Sequence, residues 1–244
     1  HIPLSFSQER LWFIDRLEGS VQYHLPSVFR LKGNLSIDSL DFSLRNIVNR
    51  HEALRSVFIE KDGVVMQKVL PENGSKINII QGENLAKDDK ALKDLIRNLI
   101  LKPFKLDEDA LLRADLINLS VNENILVFTI HHIASDAWSV PIFIREVVEL
   151  YNAHSQGRQA VLPALQVQYA DYSIWQRNYI EGDNLNKKLS YWKTKLDGVE
   201  PLDLPTDFVR PAIRGTNGEI AYFRLEKELS IKLNEFSQKN EMSL

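Results

Sequence analysis

Residues 125–139, ILVFTIHHIASDAWS, join an apolar run directly to a cluster of polar side chains. The first six residues have the length and the β-branched content of a buried strand. Two histidines, an aspartate and a tryptophan follow without an intervening glycine or proline. Loops held by rigid strands often carry binding and catalytic residues. We therefore predict the functional site at this strand end.

The paired histidines suggest proton chemistry, because histidine titrates near neutrality and can accept and return a proton. Successive side chains of a strand point to opposite faces, so we expect one of His131 and His132 to point into the fold and the other outward. This divergence disfavours a shared metal ion. Asp136 has three possible roles: orienting an imidazole, pairing with a distant arginine, or capping the next helix. The alternative is that all three residues are purely structural.

Composition is that of an ordinary globular enzyme, with 44% hydrophobic and 26% charged residues among 244. No apolar run approaches the ~20 residues that cross a bilayer, and no signal peptide is predicted. The absence of cysteine excludes disulfides, zinc–thiolate sites and thiol nucleophiles, and suits the cytoplasm. A net charge of −3 without a basic stripe gives no reason to expect a nucleic-acid partner.

The hydrophobic periodicity predicts an α/β fold. Asp62-Gly63 marks a hairpin, and an apolar stripe of Ile144, Val147, Val148 and Tyr151 follows a helix start at Ser139. Further helices are predicted from Ser5 or Ser7 to about Leu17, from Ser36 to near His51, over 92–100 up to Pro103, and from about Phe236; strands are predicted at 25–31, 57–60, 64–69, 219–225 and, as a pair, between 112 and 130. Two brace helices with core aromatics are predicted from Tyr169, Tyr172, Trp175 and Tyr179, followed by Leu185, Leu189, Trp192 and Leu196.

Four segments resemble, in order, the first four signature motifs of the condensation domain of nonribosomal peptide synthetases. They are Ser5–Trp12 (SFSQERLW), Arg50–Phe58 (RHEALRSVF), His131–Ser139 (HHIASDAWS) and Tyr169–Trp175 (YADYSIW). Leu204–Asp207 with Arg210-Pro211 resembles the approach to the second lobe of that family. The resemblance implies a chloramphenicol-acetyltransferase-like lobe, an α+β two-layer sandwich with a mixed sheet flanked by helices.

The resemblance also implies an activity, namely amide-bond formation between two carrier-bound substrates. Its implied partners are upstream and downstream peptidyl carrier domains, whose phosphopantetheine arms hold the substrates, and an adenylation domain of the same module. It implies no metal and no directly bound cofactor. Two alternatives remain open: a related reaction (epimerisation, ester formation or acyl transfer from coenzyme A), or a non-catalytic module of the same fold that recruits a partner.

The family pattern implies a role for each motif residue. His132 is the expected catalytic residue, either as a general base or as a group that positions the amine. His131 is the expected inward, structural partner. Asp136 and Arg55 are expected to form a buried structural ion pair.

Several neighbouring residues have less defined roles. Ser135, Ala137 and Trp138 are candidates for backbone oxyanion contacts or for lining the substrate tunnel. Ala137 stands where the family usually has glycine, which is harmless if its φ angle is negative. His51, at the end of a predicted helix, is expected to be structural.

The domain organisation is predicted as an amino-terminal lobe at 1–178, a brace helix and inter-lobe linker at 179–218, and the start of a second lobe at 219–244. Residues 198–218 are rich in proline and glycine, which marks the lobe boundary. The sequence covers about half the length expected for the family, and the remaining motifs have no counterpart in it. Because the family's active centre lies between two lobes, we expect the isolated chain to be inactive without the missing carboxy-terminal lobe.

Overall fold

The computed structural model describes residues 2–72, 76–209, 211, 212, 215, 221 and 223–244. Its α-helices are α1 (Phe6–Glu18), α2 (Ile37–Arg50), α3 (Asp89–Leu101), α4 (Ser139–Ser155), α5 (Tyr169–Tyr179), α6 (Gly182–Leu196) and α7 (Lys227–Lys239). Its strands are β1 (Ile2–Pro3), β2 (His24–Lys32), β3 (Ser56–Lys61), β4 (Val64–Val69), β5 (Asn78–Gln81), β6 (Leu112–Ser120) and β7 (Glu123–His131). Short 3-10 turns occupy Val21–Tyr23, Glu52–Arg55 and Glu83–Leu85.

The larger sheet has the strand order β2-β7-β6-β5. The edge strand β5 runs parallel to β6, and the other neighbours are antiparallel, so the sheet is mixed. A two-residue connection, 121–122, joins β6 to β7. β2 pairs with β7 along its whole length, and His24 lies opposite His131. The predicted α/β class, with a mixed sheet flanked by helices, is confirmed.

Both faces of β7 are buried, because helices cover the sheet on each side. Leu126, Phe128 and Ile130 pack with residues of α2 and α4, such as Ile47 and Val147. The intervening side chains face α3, where Ile125 and Val127 join a second cluster with Leu92. A strand covered on both faces accounts for the continuous apolar run in the sequence.

The smaller sheet has the order β1-β4-β3. The hairpin between β3 and β4 turns at Asp62 (φ 53°) and Gly63 (φ 73°), as the Asp-Gly pair predicts, because a two-residue hairpin of this kind needs positive φ at both positions. Phe58 of β3 packs against Leu111 and Ile133, so this sheet contacts the segment that follows the paired histidines.

Helix starts follow the predicted caps, since the hydroxyls of Ser5 and Ser36 accept hydrogen bonds from the first turns of α1 and α2. The predicted apolar stripe of α4 is partly wrong. Val148 is 51% exposed, and the buried apolar residues of the helix are Phe143, Val147, Leu150 and Ala153. These lie at spacings of three and four residues, which places Val148 beside the stripe rather than in it.

The aromatic residues of α5 and α6 are exposed, so the prediction that they form core is wrong. Trp175 is 55% exposed and Trp192 is 58% exposed. Tyr172, Trp175 and Tyr179 instead contact one another along the surface of α5, with Trp175 and Tyr179 stacked at 5.0 Å. Helical spacing correctly places them on one face, but no described element of residues 2–199 covers that face.

The chain divides into two compact units, residues 1–199 and 200–244. In the second unit, α7 begins at Lys227 and ends at Lys239, so the helix predicted from Phe236 starts nine residues earlier. The strand predicted at 219–225 includes residues outside the described part of the chain, and its described positions, 221 and 223–225, are not in a strand. The boundaries at 178 and 218 stay predictions.

Candidate active site at the paired histidines

The end of β7 separates the two histidines, as the strand alternation predicts. His131 is completely buried, whereas His132 is exposed. The chain turns immediately afterwards: the His132 N–H donates to the Tyr23 carbonyl at 2.9 Å, and the Ala134 N–H donates to the His131 carbonyl at 3.0 Å. The two rings therefore lie in different environments and can have different functions.

His131 is held as a neutral ring. The Ile133 N–H donates to its Nδ1 at 3.1 Å, so Nδ1 carries no proton, and Nε2–H donates to the Ser20 hydroxyl at 2.8 Å. Burial lowers the pKa of His131 to about 3, and electrostatic interactions with His24, His132 and Arg113 add to the shift. At physiological pH this ring is a structural hydrogen-bonding group.

His132 is oriented by the backbone rather than by a carboxylate. Its Nδ1 lies 2.7 Å from the Ser135 carbonyl oxygen. A carbonyl can only accept, so Nδ1 carries the proton, and the neutral ring has its lone pair on Nε2. The edge of the ring contacts Tyr23, with centroids 6.5 Å apart. The exposed Nε2 is therefore available to accept a proton or a hydrogen bond.

Asp136 caps α4, which is one of the three roles that the sequence left open. Its Oδ1 accepts from the Ser139 N–H at 2.8 Å and from the Ser139 hydroxyl at 2.6 Å. The Ser139 hydroxyl, above all, holds the pKa of Asp136 below its usual range. An ionised carboxylate at this position complements the positive end of the helix.

Arg55 does not meet Asp136, and the predicted ion pair between them is wrong. The Arg55 guanidinium donates to the Leu70 carbonyl and, at 3.3 Å, to the Asn49 carbonyl. The carboxylates within 4 Å of it belong to Glu52 (3.6 Å) and Glu72 (3.9 Å), and in the described part of the chain no ion pair joins it to Asp136. The physical reason is that these acceptors hold Arg55 at the β3–β4 side, while Ser139 holds Asp136.

Ala137 fits the loop without strain. The described non-glycine residues with positive φ are Asp62 and Glu241, which confirms that alanine is harmless here. Trp138, which is 82% exposed, and Ser139 direct their N–H groups toward the Asp136 carboxylate. The oxyanion role predicted for this loop then falls to the N–H groups of Ser135 and Ala137, and it stays a prediction.

A cavity of about 240 Å³ lies beside the motif. Ser135 and Ser139 line it on the side of the histidine loop, and apolar side chains line most of the remainder. The other residues that line the cavity include His51, Leu54, Ile130, Phe143, Gln168 and Tyr169. Apolar cavities with a few convergent polar groups are typical of small-molecule sites.

A buried ion-pair cluster next to this cavity was missed by the sequence analysis. Glu146 is 4% exposed and accepts from Arg50 Nε at 3.1 Å and from His51 Nε2 at 2.7 Å. Burial raises the pKa of Glu146, but the hydrogen bonds from His51 and Arg50 outweigh it and lower the pKa overall. The signal was a glutamate between Phe143 and Leu150 on the apolar stripe of α4, which requires a buried partner. His51 thus has the structural role predicted for it and also lines the cavity.

Among the described residues, no group of three or more histidine, aspartate or glutamate side chains is arranged to hold a metal ion. No helix formed by the described residues is long and apolar enough to cross a bilayer.

Comparison with known sequences supports the motif assignment. The family model described as "Condensation domain" matches residues 1–244. One of the linear gramicidin synthase proteins of Brevibacillus parabrevis is 41% identical over 100% of this chain, which spans 5% of that protein. Malpinin synthetase of Mortierella alpina is 38% identical, again over 100% of the chain and 3% of the relative. The chain therefore corresponds to a small part of these curated relatives.

Comparison with solved structures supports the fold. The X-domain from teicoplanin biosynthesis, in a complex with OxyB, matches with a TM-score of 0.82 and 27% identity, covering 100% of this chain and 54% of that one. The starter condensation domain of the rhizomide synthetase RzmA, at 17% identity and a TM-score of 0.71 over 82% of this chain and 48% of that one, agrees in fold. The chloramphenicol-acetyltransferase-like fold class is confirmed. Together, the motif geometry, the family match across 1–244 and these neighbours show that the chain belongs to the condensation domain family.

Proposed function

We propose that this chain carries the histidine loop of a condensation domain that forms amide bonds. In this reaction the amine of an acceptor aminoacyl thioester attacks the thioester carbonyl of a donor; a C–N bond forms, the C–S bond breaks, and the proton lost by the amine ends on the released thiol. The observation that carries the proposal is the His132–Ser135 hydrogen bond of 2.7 Å, because it places the proton of the neutral ring on Nδ1 and so leaves the lone pair on Nε2 of this exposed residue.

His132 contributes by accepting a hydrogen bond or a proton from the attacking amine. An α-amine has a reference pKa of about 7.7 to 8, so a substantial fraction is already neutral at physiological pH. A general base typically accelerates such a step by about 10² to 10⁴. Orientation of the amine contributes through effective molarity even where no full proton transfer is needed. Both roles require the fixed ring described above.

The partners follow from the same proposal. Peptidyl carrier domains present donor and acceptor on phosphopantetheine arms, an adenylation domain of the same module loads the carrier, and a second lobe completes the active centre. A partly open cavity lies beside Ser135 and Ser139, on the same loop as His132, and offers space for part of a substrate. A cytoplasmic location stays a prediction.

A second candidate is a recruiting module that has the fold and performs no condensation. The specific observation in its favour is the TM-score of 0.82 with the teicoplanin X-domain, which was solved in complex with a partner protein. Ala137 in place of the usual glycine is compatible with this candidate, although its backbone is unstrained.

The test uses the full-length domain that contains this chain, with donor-loaded and acceptor-loaded carrier proteins. Intact-protein mass spectrometry would measure amide formation by the wild type, by His132→Ala and by a control, His154→Ala. His154 is an exposed histidine at the other end of α4, hydrogen-bonded to Ser39 at 2.9 Å. We expect a loss of about 10² or more for His132→Ala and none for the control. If the loaded carrier proteins bind to the wild-type domain but no amide product forms, the result would favour the recruiting module.

A further inference from the structure

A hydrogen-bond chain behind the candidate active site is not used by the proposed chemistry. It runs from the Asp15 carboxylate near the end of α1, through the Ser20 hydroxyl, to Nε2 of His131. Ser20 is 3% exposed, and the Ser20–His131 distance is 2.8 Å. Ser20 and His131 are buried, whereas Asp15 is partly exposed. Removing the partner of a buried polar group destabilises the fold, so Ser20 and His131 depend on each other and on Asp15.

The proton positions along this chain are fixed by chemistry. A carboxylate only accepts, so the Ser20 hydroxyl donates to Asp15. The Ser20 oxygen is then free to accept from His131 Nε2–H, and His131 Nδ1 accepts from the Ile133 N–H at 3.1 Å. Asp15, acting through Ser20, and the Ile133 N–H therefore select the same Nε2–H tautomer of His131.

Two connections extend from this chain to His132. Through His131, the hydrogen bond to Ile133 fixes the backbone on both sides of His132. Through Ser20, the Tyr23 N–H donates to the Ser20 carbonyl at 2.8 Å, and the Tyr23 carbonyl accepts the His132 N–H at 2.9 Å. Tyr23 also contacts the His132 ring itself.

We propose that Asp15 and Ser20 are positioning residues for the reaction at His132. They hold His131 in one orientation, and His131 holds the turn in which the His132 ring reaches the Ser135 carbonyl. The kinetic consequence rests on the proposed function, whereas the effect on the His132 ring does not. Neither residue touches the space in front of His132 Nε2, so both act through other residues.

The kinetic test compares Ser20→Ala, Ser20→Thr and Asp15→Asn in the full-length protein that carries this chain. Ser43→Ala is the matched control, because Ser43 is also fully buried and donates one hydrogen bond, 2.6 Å to the Ser39 carbonyl within α2. We expect Ser20→Ala to lower kcat about tenfold or more, with KM for the acceptor-loaded carrier unchanged, because small misplacements of reacting groups are costly. Asp15→Asn should lower kcat in the same direction. Ser20→Thr, which keeps the hydroxyl, should restore activity, and Ser43→Ala should leave it at the wild-type level.

A second readout needs no turnover. Nuclear magnetic resonance of the ¹⁵N-histidine-labelled protein distinguishes the two neutral tautomers of His132, with the signal assigned by its loss in His132→Gln. We expect the Nδ1–H form in the wild type and in Ser20→Thr, and a mixture in Ser20→Ala. Wild-type kcat and an unchanged tautomer in Ser20→Ala would overturn the inference, as would an equal loss of kcat in Ser43→Ala. Absence of product in the wild type would contradict the proposed function instead. The His132 tautomer in Ser20→Ala, compared with the wild type, would still show whether Ser20 positions the ring.

Discussion

Burial of neutral His131 makes the stability of the domain depend on pH. The pKa of this ring is about 3 in the folded chain, against a reference value of about 6.5 for an unfolded one. Between these two values the unfolded chain binds a proton that the folded chain does not. The free energy of unfolding therefore has its full contribution from His131 above about pH 6.5 and loses it progressively as the pH falls toward 3.

The size of this effect follows from the shift. One proton gives a slope of about 1.4 kcal/mol per pH unit. Integrated from pH 7 to pH 5, the contribution of His131 falls by about 2 kcal/mol, which is a large part of the 5 to 15 kcal/mol that stabilises most domains.

The assay is urea unfolding of the full-length domain at pH 7 and at pH 5, for the wild type and for His131→Gln. Other titrating groups are common to both proteins, so their effects cancel in the comparison. The variant should lose about 2 kcal/mol less than the wild type over this interval. Equal losses would refute the reasoning. If the variant does not fold, the wild-type ¹⁵N spectrum decides, because a protonated His131 ring at pH 5 is incompatible with the burial described here.

Further predictions concern stability, each measured by urea or thermal unfolding. Glu146→Ala should cost about 3 kcal/mol, because it leaves Arg50 partly buried without its carboxylate, and replacing both residues by apolar ones should recover most of the loss. Asp136→Ala should cost about 1 kcal/mol as a lost cap, with Asp136→Asn closer to wild type. A double-mutant cycle of Asp136 with Arg55 should be additive within about 0.5 kcal/mol, and stronger coupling would contradict the separation seen here. Gly63→Ala should destabilise by about 1 kcal/mol, because its φ is 73°; an unchanged melting temperature would show that the turn adapts.

Features governed by neighbouring residues were predictable from the sequence. The apolar run before His131 predicts the strand, Ser36 predicts the start of α2, and Asp62-Gly63 predicts the hairpin. In each case the determinant is local: side-chain alternation, a capping hydroxyl, or tolerance of positive φ.

Features that depend on distant partners were not predictable in the same way. Arg55 has acceptors at Asn49 and Leu70, and no periodicity specifies which carbonyls a guanidinium reaches in the fold. Glu146 is recognisable as an anomaly on an apolar stripe, but its partners come from the end of α2. For Trp175, spacing specifies the helix face but not whether another element covers it.

The short connection between β6 and β7 has a consequence at the opposite end of the strand. Because β7 is apolar on both faces, burial alone selects its register only weakly. The length of the connection at 121–122 therefore helps to determine how β7 aligns with β6. A one-residue insertion or deletion there that shifts the register of β7 would turn His131 and His132 to the opposite faces of the strand, about 30 Å away along the extended chain. The sequence of the histidine motif would be unchanged, yet the histidine with the free Nε2 would be inside the protein. We therefore expect natural selection to act on the length of this turn as strictly as on the residues of the active site.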